Sequence, residues 1–130
     1  MDEELIVLNV NDVASLLKIY KKNSFLDWVP ETSGIRMQMA SDILESLEAE
    51  ESASYKGNMD YEVSPEIESW IKNWAEAQNL IEETRVFLSP EDQTISEEAQ
   101  EKIWELQQRV NEGDTVKDIE DDIKALTGRN

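Results

Sequence analysis

The sequence predicts an all-α fold: a single domain over residues 1–130 in which four to five helices pack around a long helix at about 65–88. In that long segment, apolar residues recur at steps of three and four, which places them on one stripe of a helix. Ser-Pro pairs at 64–65 and 89–90 supply a start and a stop signal, because serine caps a helix and the residue before a proline leaves the α region. A length of 130 residues suits one domain with its own core.

The N-terminal segments are less regular. Residues 5–8, Leu-Ile-Val-Leu, predict either a brief strand or the lead-in to a helix, which Asn9 or Asn11 would cap. Residues 23–34 are expected to form an irregular connection. Its apolar side chains would plug the end of the bundle or, alternatively, offer an aromatic patch to a partner. The residues expected to face the core from the first helix are Val13, Leu16, Leu17 and Tyr20.

Four further segments complete the expected bundle. A second long helix is predicted at about 35–52, and residues 54–63 read as a loop with a Gly-Asn turn signal. A fourth helix begins at Ser96 and ends before a glycine at 113. A last helix is capped by Thr115, with Asp118 in the capping-box position.

The composition limits the classes of partner. The chain has 30 acidic and 12 basic residues, a net charge of −18 that is spread along its length. Such a domain repels nucleic-acid phosphates and anionic membranes and attracts basic surfaces. No apolar run is long enough to span a bilayer, and the acidic N-terminus is unlike a targeting peptide. We therefore expect a cytoplasmic protein, in the host cytoplasm if the chain is viral, that binds a basic protein but neither nucleic acid nor membrane.

The composition also argues against an enzyme. Histidine and cysteine are absent, which removes the Ser-His-Asp, Cys-His and thiolate-zinc sites. The chain has no glycine-rich phosphate loop. We expect no catalytic residue, no cofactor and no metal site.

One pattern of carboxylates favours a different interpretation. Residues 97–101 read Glu-Glu-x-x-Glu, and residues 118–122 read Asp-x-x-Asp-Asp. Over residues 97–122 this resembles the EExxE…ExxD signature of the all-α NTP pyrophosphatases of the MazG type, with Asp118 in place of the expected glutamate. The resemblance implies a Mg²⁺-dependent pyrophosphatase. Its metal ligands would be Glu98, Glu101, Asp118 and Asp121. In a chain this acidic, however, such spacings also arise by chance.

The surplus of negative charge is the main functional indication, because a small domain stays soluble with a net charge of only about 2–8. Carboxylates on rigid helices can replace phosphates in a basic groove. We therefore expect an inhibitor from a phage or mobile element that blocks a nucleic-acid-binding host defence enzyme, in the manner of DNA-mimic antirestriction and anti-CRISPR proteins. The residues expected to contact the partner are Glu45, Glu48, Glu50, Glu51, Glu97, Glu98, Glu101 and Trp28.

Two other functions stay open at this point. An immunity protein or antitoxin is also small, acidic and helical, and it blocks a basic toxin. A phage structural or adaptor subunit would pack its long helix against copies of itself as a homodimer. Three tryptophans, Trp70, Trp74 and Trp104, lie on or beside apolar stripes and are expected in the core, whereas Trp28 is the one assigned to an interface.

Overall fold

The fold is a mixed α/β arrangement, in a computed structural model that describes residues 4–32, 34–90 and 94–128. The described residues form five helices and five strands, so the all-α prediction was wrong. In chain order, the elements of the first half are β1 (Ile6–Asn9), α1 (Val10–Ala14), β2 (Tyr20–Lys22), β3 (Trp28–Pro30) and α2 (Ile35–Ala49). Those of the second half are β4 (Ala53–Gly57), β5 (Asp60–Val63), α3 (Pro65–Phe87), α4 (Glu97–Asn111) and α5 (Val116–Thr127).

A three-stranded antiparallel sheet, in the order β1-β5-β4, occupies most of the segment that was expected to be a loop. Tyr61 on the central strand stands opposite Leu8 on one side and Tyr55 on the other. Asn58 and Met59 form the two-residue turn between β4 and β5, with φ angles of 53° and 68°. Positive φ at both positions matches the twist of a tight hairpin. The loop prediction for 54–63 was therefore wrong, because these residues gain their order from strand pairing.

The first helix is shorter than expected, and a second hairpin follows it. α1 is capped by Asn9 and ends at Ala14, and Tyr20 belongs to strand β2 and not to a helix. β2 pairs with β3, so the irregular connection predicted for 23–34 is largely a hairpin. The side-chain oxygen of Asn23 accepts hydrogen bonds from the backbone N–H groups of Phe25 and Asp27, at 2.9 and 3.0 Å, and thereby shapes the loop.

Side chains of α3 hold the chain segment between α1 and β2. Asn79 accepts a hydrogen bond from the Lys18 backbone N–H at 2.8 Å. The buried carboxylate of Glu82 accepts one from the Tyr20 N–H, also at 2.8 Å. Arg85 donates to the Tyr20 carbonyl at 2.9 Å. We call Asn79, Glu82 and Arg85 the polar ladder. It provides hydrogen-bond partners for the partly buried N–H and C=O groups of Tyr20 and for the exposed N–H of Lys18.

The long helices and their caps confirm the sequence prediction. The Ser64 hydroxyl accepts a hydrogen bond from the Ile67 N–H, and the Ser96 hydroxyl accepts one from the Ala99 N–H. Thr115 and Asp118 form the expected capping box of α5. These ends were predictable because each cap is a hydrogen bond between residues close together in sequence.

The core lies between α3, the other helices and the inner face of the sheet. Trp74 is buried as expected and Trp70 is half-buried. Trp104 is 60% exposed, so its assignment to the core was wrong. Ile103, Leu106 and Val110 form the buried stripe of α4, and Trp104 lies outside it. Within the described residues, no helix combines the length and the apolarity needed to cross a membrane.

The polar ladder gives a stability prediction. In Glu82→Ala, the Arg85 guanidinium and the Tyr20 N–H lose their acceptor. We expect the free energy of unfolding to fall by about 2–3 kcal/mol, less than for a fully buried pair because Arg85 is partly exposed. Urea denaturation followed by tryptophan fluorescence measures the loss. The exposed neighbour Glu83→Ala is the control and should change stability by less than about 0.5 kcal/mol. Equal losses in both variants would contradict the role given to Glu82.

The tight turn gives a second prediction. Met59 has a φ of 68°, a conformation that glycine adopts without steric cost. We expect Met59→Gly to raise the free energy of unfolding by roughly 0.5–1 kcal/mol, since an Asn-Gly pair suits this turn. Lys56→Gly, in the adjacent strand at negative φ, should lower stability by a similar amount. Thermal unfolding of both variants distinguishes relief of strain from a general effect of glycine.

Candidate functional site

A groove runs between α2 and α4, with α3 as its floor. It encloses a cavity of about 680 Å³, of the size that binds ligands or the side chains of a partner. Trp70, Trp74 and Gln78 of α3 line the floor. We call this feature the α2–α4 groove.

Amide groups fix the floor of the groove. The indole N–H of Trp74 donates to the Asn111 side-chain oxygen at 2.8 Å. The side-chain amide of the buried Gln78 donates to the same oxygen at 3.0 Å. Both bonds join α3 to the last turn of α4. The floor is therefore rigid, and its polar groups already have partners.

Three carboxylates line the cavity of the groove. Asp42 lies on α2, and Glu50 and Glu112 are the residues that directly follow α2 and α4. All three are exposed, and in the described part of the chain none of them forms an ion pair. Asp42 accepts a hydrogen bond from the neutral side-chain amide of Gln38, at 2.8 Å. We call Asp42, Glu50 and Glu112 the acidic rim. Among the described residues, no basic side chain forms an ion pair with it.

One end of the groove is formed by the β2–β3 hairpin. A second cavity of about 450 Å³ shares Met39, Gln78 and Gln107 with the first, so the two are continuous. The Arg85 guanidinium lies 4.9 Å from the ring centroid of Trp28, and it is neutralised by Glu82. The first cavity is therefore lined by acids, whereas the second is lined by charges of both signs.

The four acids expected on α2 do not form one cluster. Glu45 and Glu48 line a different cavity together with Tyr55 and Tyr61, and Glu48 accepts a hydrogen bond from the Tyr55 N–H at 3.0 Å. Glu50 is part of the acidic rim. The last acid, Glu51, has a φ of 64° and faces the region of the sheet edge. Four acids that are close in sequence thus lie on three different surfaces.

The three acids expected on α4 lie together. They share the exposed side of the helix with Trp104, whose indole is 60% exposed. We define the α4 outer face by Glu97, Glu98, Glu101, Trp104 and Glu105. Sequence reasoning missed Trp104 as a surface residue. The signal was available, because a step of one from Ile103 rotates Trp104 by 100° away from the buried stripe.

Trp28, the aromatic residue assigned to an interface, is half-buried in the hairpin. Its indole N–H donates to the Ser89 carbonyl at 2.7 Å, and its ring contacts the cations of Lys22 and Arg85. The aromatic side chain that the hairpin exposes is Phe25, at 82%. The interface role of Trp28 stays a prediction.

The carboxylates of the pyrophosphatase-like pattern are not brought together. Asp118 caps α5, and hydrogen bonds from the Thr115 backbone and hydroxyl lower its pKa. Asp122 is bonded to Arg109, while Glu98 and Glu101 lie on the α4 outer face. Across residues 4–32, 34–90 and 94–128, no three acidic side chains are placed so that they could hold a metal ion.

Comparisons with protein-family models, with curated proteins and with solved structures find no match for this chain. The α2–α4 groove and the α4 outer face are therefore the two candidate surfaces.

The pKa of Tyr61 reports on the negative charges of Glu45 and Glu48 on α2. Burial raises the pKa of the Tyr61 hydroxyl, and the negative charges of Glu45 and Glu48 raise it further. Because the folded pKa exceeds the unfolded one, the free energy of unfolding should fall as the pH rises above about 10. We expect Glu45→Gln to lower the pKa of Tyr61, measured from its ring carbon shifts by NMR. Glu101→Gln, which lies elsewhere, should leave that pKa unchanged.

Proposed function

We propose that the protein is a small acidic inhibitor that acts in the cytoplasm and binds a basic, nucleic-acid-binding protein through the α4 outer face. One observation carries the proposal: an exposed tryptophan stands among carboxylates on a helix whose other side is buried. Solubility explains the carboxylates but does not explain Trp104. A large exposed indole is the kind of residue that dominates binding energy at protein interfaces.

The charge of this face suits a site that normally holds phosphates. Glu97, Glu98 and Glu101 have no ion pair among the described residues, so their charge is available to a partner. Displacing counterions from a basic channel favours association, as it does for nucleic acid. The net charge of −18 also accelerates encounter with a cationic partner.

The face is held in place before binding. Ser96 caps the first turn of α4, and Ile103, Leu106 and Val110 anchor the opposite side of the helix in the core. The carboxylates therefore need little ordering when a partner arrives, and less binding energy is lost.

A capture experiment tests the proposal. The protein is immobilised, incubated with a host lysate at about 50 mM salt, and eluted with duplex DNA or with RNA. We expect a captured basic protein to be released by the nucleic acid, and its affinity to fall steeply between about 50 and 200 mM salt. A partner that nucleic acid does not displace would contradict mimicry. If that partner also tolerates salt, an adaptor function is favoured.

Matched variants locate the contact. We expect the slope of log affinity against log salt concentration to fall by about three charges when three acids of the α4 outer face are changed together (Glu97→Gln, Glu98→Gln and Glu101→Gln). The control changes three exposed acids of α3 (Glu66→Gln, Glu76→Gln and Glu83→Gln) by the same net charge. We expect this control to change the affinity much less at about 0.15 M salt. The Debye length there is about 8 Å, so charges far from the contact are screened. Trp104→Ala should weaken binding roughly thirtyfold without destabilising the fold.

A further inference from the structure

We propose that a cavity between α2 and the β4–β5 hairpin binds an arginine side chain of the partner protein. We call this cavity the tyrosine pocket and define it by Glu45, Glu48, Tyr55, Met59 and Tyr61. The inference rests on the proposed function, because the arginine belongs to the basic partner. The pocket shares no residue with the α2–α4 groove or with the α4 outer face, so it can be tested separately.

Contacts between α2 and the sheet form the wall of the pocket. α2 packs against β4, and the Glu48 carboxylate accepts a hydrogen bond from the Tyr55 backbone N–H at 3.0 Å. A hydrogen bond to a charged acceptor is stronger than one between neutral groups, so it holds the hairpin to the helix. The cavity has a volume of about 650 Å³. That volume is within the range of ligand sites and admits a long side chain.

A buried hydroxyl without a partner indicates that the pocket holds a ligand. Tyr61 is only 5% exposed, and it lines the cavity. In residues 4–32, 34–90 and 94–128, no group forms a hydrogen bond with the Tyr61 hydroxyl. Polar groups that are buried in proteins usually have such a partner. A ligand that donates hydrogen bonds would supply the missing one.

The charges of the pocket favour a cation. Glu45 and Glu48 are exposed, and neither forms an ion pair with another described residue. Burial raises the pKa of the Tyr61 hydroxyl, and the negative charges of Glu45 and Glu48 raise it further. The carboxylates therefore act on the same hydroxyl that lacks a partner. A positive group placed between them would meet a negative potential.

A guanidinium group fits these surroundings better than an ammonium group does. It is planar and has five N–H donors, so it can bond to the carboxylates and to the Tyr61 hydroxyl oxygen together. Its plane can also stack on the exposed ring of Tyr55, whose centroid lies 5.1 Å from that of Tyr61. The exposed Met59 offers an apolar contact for the methylene groups of the arginine.

An NMR titration of the full chain with a defined probe tests the pocket. The probe is N-acetyl-arginine amide, and the controls are N-acetyl-citrulline amide, its neutral isostere, and N-acetyl-lysine amide. Ring resonances of Tyr55 and Tyr61 report binding in the pocket, and the indole N–H of Trp104 reports binding at the α4 outer face. We expect the arginine probe to shift both tyrosines with a dissociation constant on the order of 1 mM. The citrulline probe should shift neither, and the lysine probe should bind several times more weakly.

Paired substitutions test the charge of the pocket. Glu45→Gln with Glu48→Gln should weaken binding of the arginine probe by about tenfold, as expected for two charge contacts. Each glutamine keeps an oxygen that can accept a hydrogen bond, so the bond to the Tyr55 N–H is retained. Glu97→Gln with Glu101→Gln, an equal change in charge on the α4 outer face, should weaken binding by no more than about twofold. All four positions are exposed, so both variants should fold.

Tyr61→Phe tests the hydroxyl itself. The substitution removes the group that has no partner and keeps the ring, so thermal unfolding of the free protein should be unchanged or slightly higher in temperature. Binding of the arginine probe should weaken by about fivefold, as expected for one hydrogen bond. In the unaltered protein, the bound probe should lower the pKa of Tyr61, because its positive charge offsets the two carboxylates.

Other outcomes separate this inference from the proposed function. Equal weakening by the two pairs of substitutions, or no shift at either tyrosine, would overturn the pocket. Binding of the citrulline or lysine probe as tightly as the arginine probe would overturn the assignment to a guanidinium group. Shifts at both tyrosines, together with a captured partner that nucleic acid does not release, would support the pocket and contradict mimicry. A captured partner that nucleic acid releases, but that binds the Tyr61→Phe variant with unchanged affinity, would support mimicry and overturn this inference.

Discussion

The polar ladder on α3 is the interaction on which the rest of the structure depends. Its side chains accept and donate hydrogen bonds to the backbone of the segment that joins α1 to β2. The N–H and C=O groups of Tyr20 are partly buried, and leaving them without hydrogen-bond partners would be costly. The ladder allows the N-terminal part of the chain to lie against the middle of α3. It also places the hairpin at one end of the α2–α4 groove.

α3 therefore contributes to several parts of the structure. Its apolar stripe packs with α4 and α5, its polar ladder holds the N-terminal segment, and its remaining surface forms the floor of the groove. The sequence predicts this helix as the centre around which the other helices pack. The half-buried Trp70 shows that one strip of it stays open. The carboxylates around this open strip and those of the α4 outer face belong to different surfaces, although both contribute to one strongly negative molecule.

The errors of the sequence prediction have two physical origins. Residues 53–57 expose most of their side chains, so they show no alternation of apolar and polar residues. Their strand exists because β5 pairs with it, and β5 also pairs with β1, far away in sequence. Trp104 was assigned to the core because it lies beside the apolar stripe of α4. Its position on the helix, one step beyond the buried stripe, decided otherwise.

The sequence by itself determined the long helices, their caps and the charge. The starts of α3, α4 and α5 can be predicted from Ser64, Ser96 and Thr115, because their capping hydrogen bonds span only a few residues. The net charge is a property of composition. Only the tertiary structure decided the two hairpins, the groove and the grouping of the acids. The pairing of β1 with β5, the groove and the grouping of the acids depend on contacts between residues far apart in the chain. Glu50 and Glu112 illustrate the point, since they line one cavity although one follows α2 and the other follows α4.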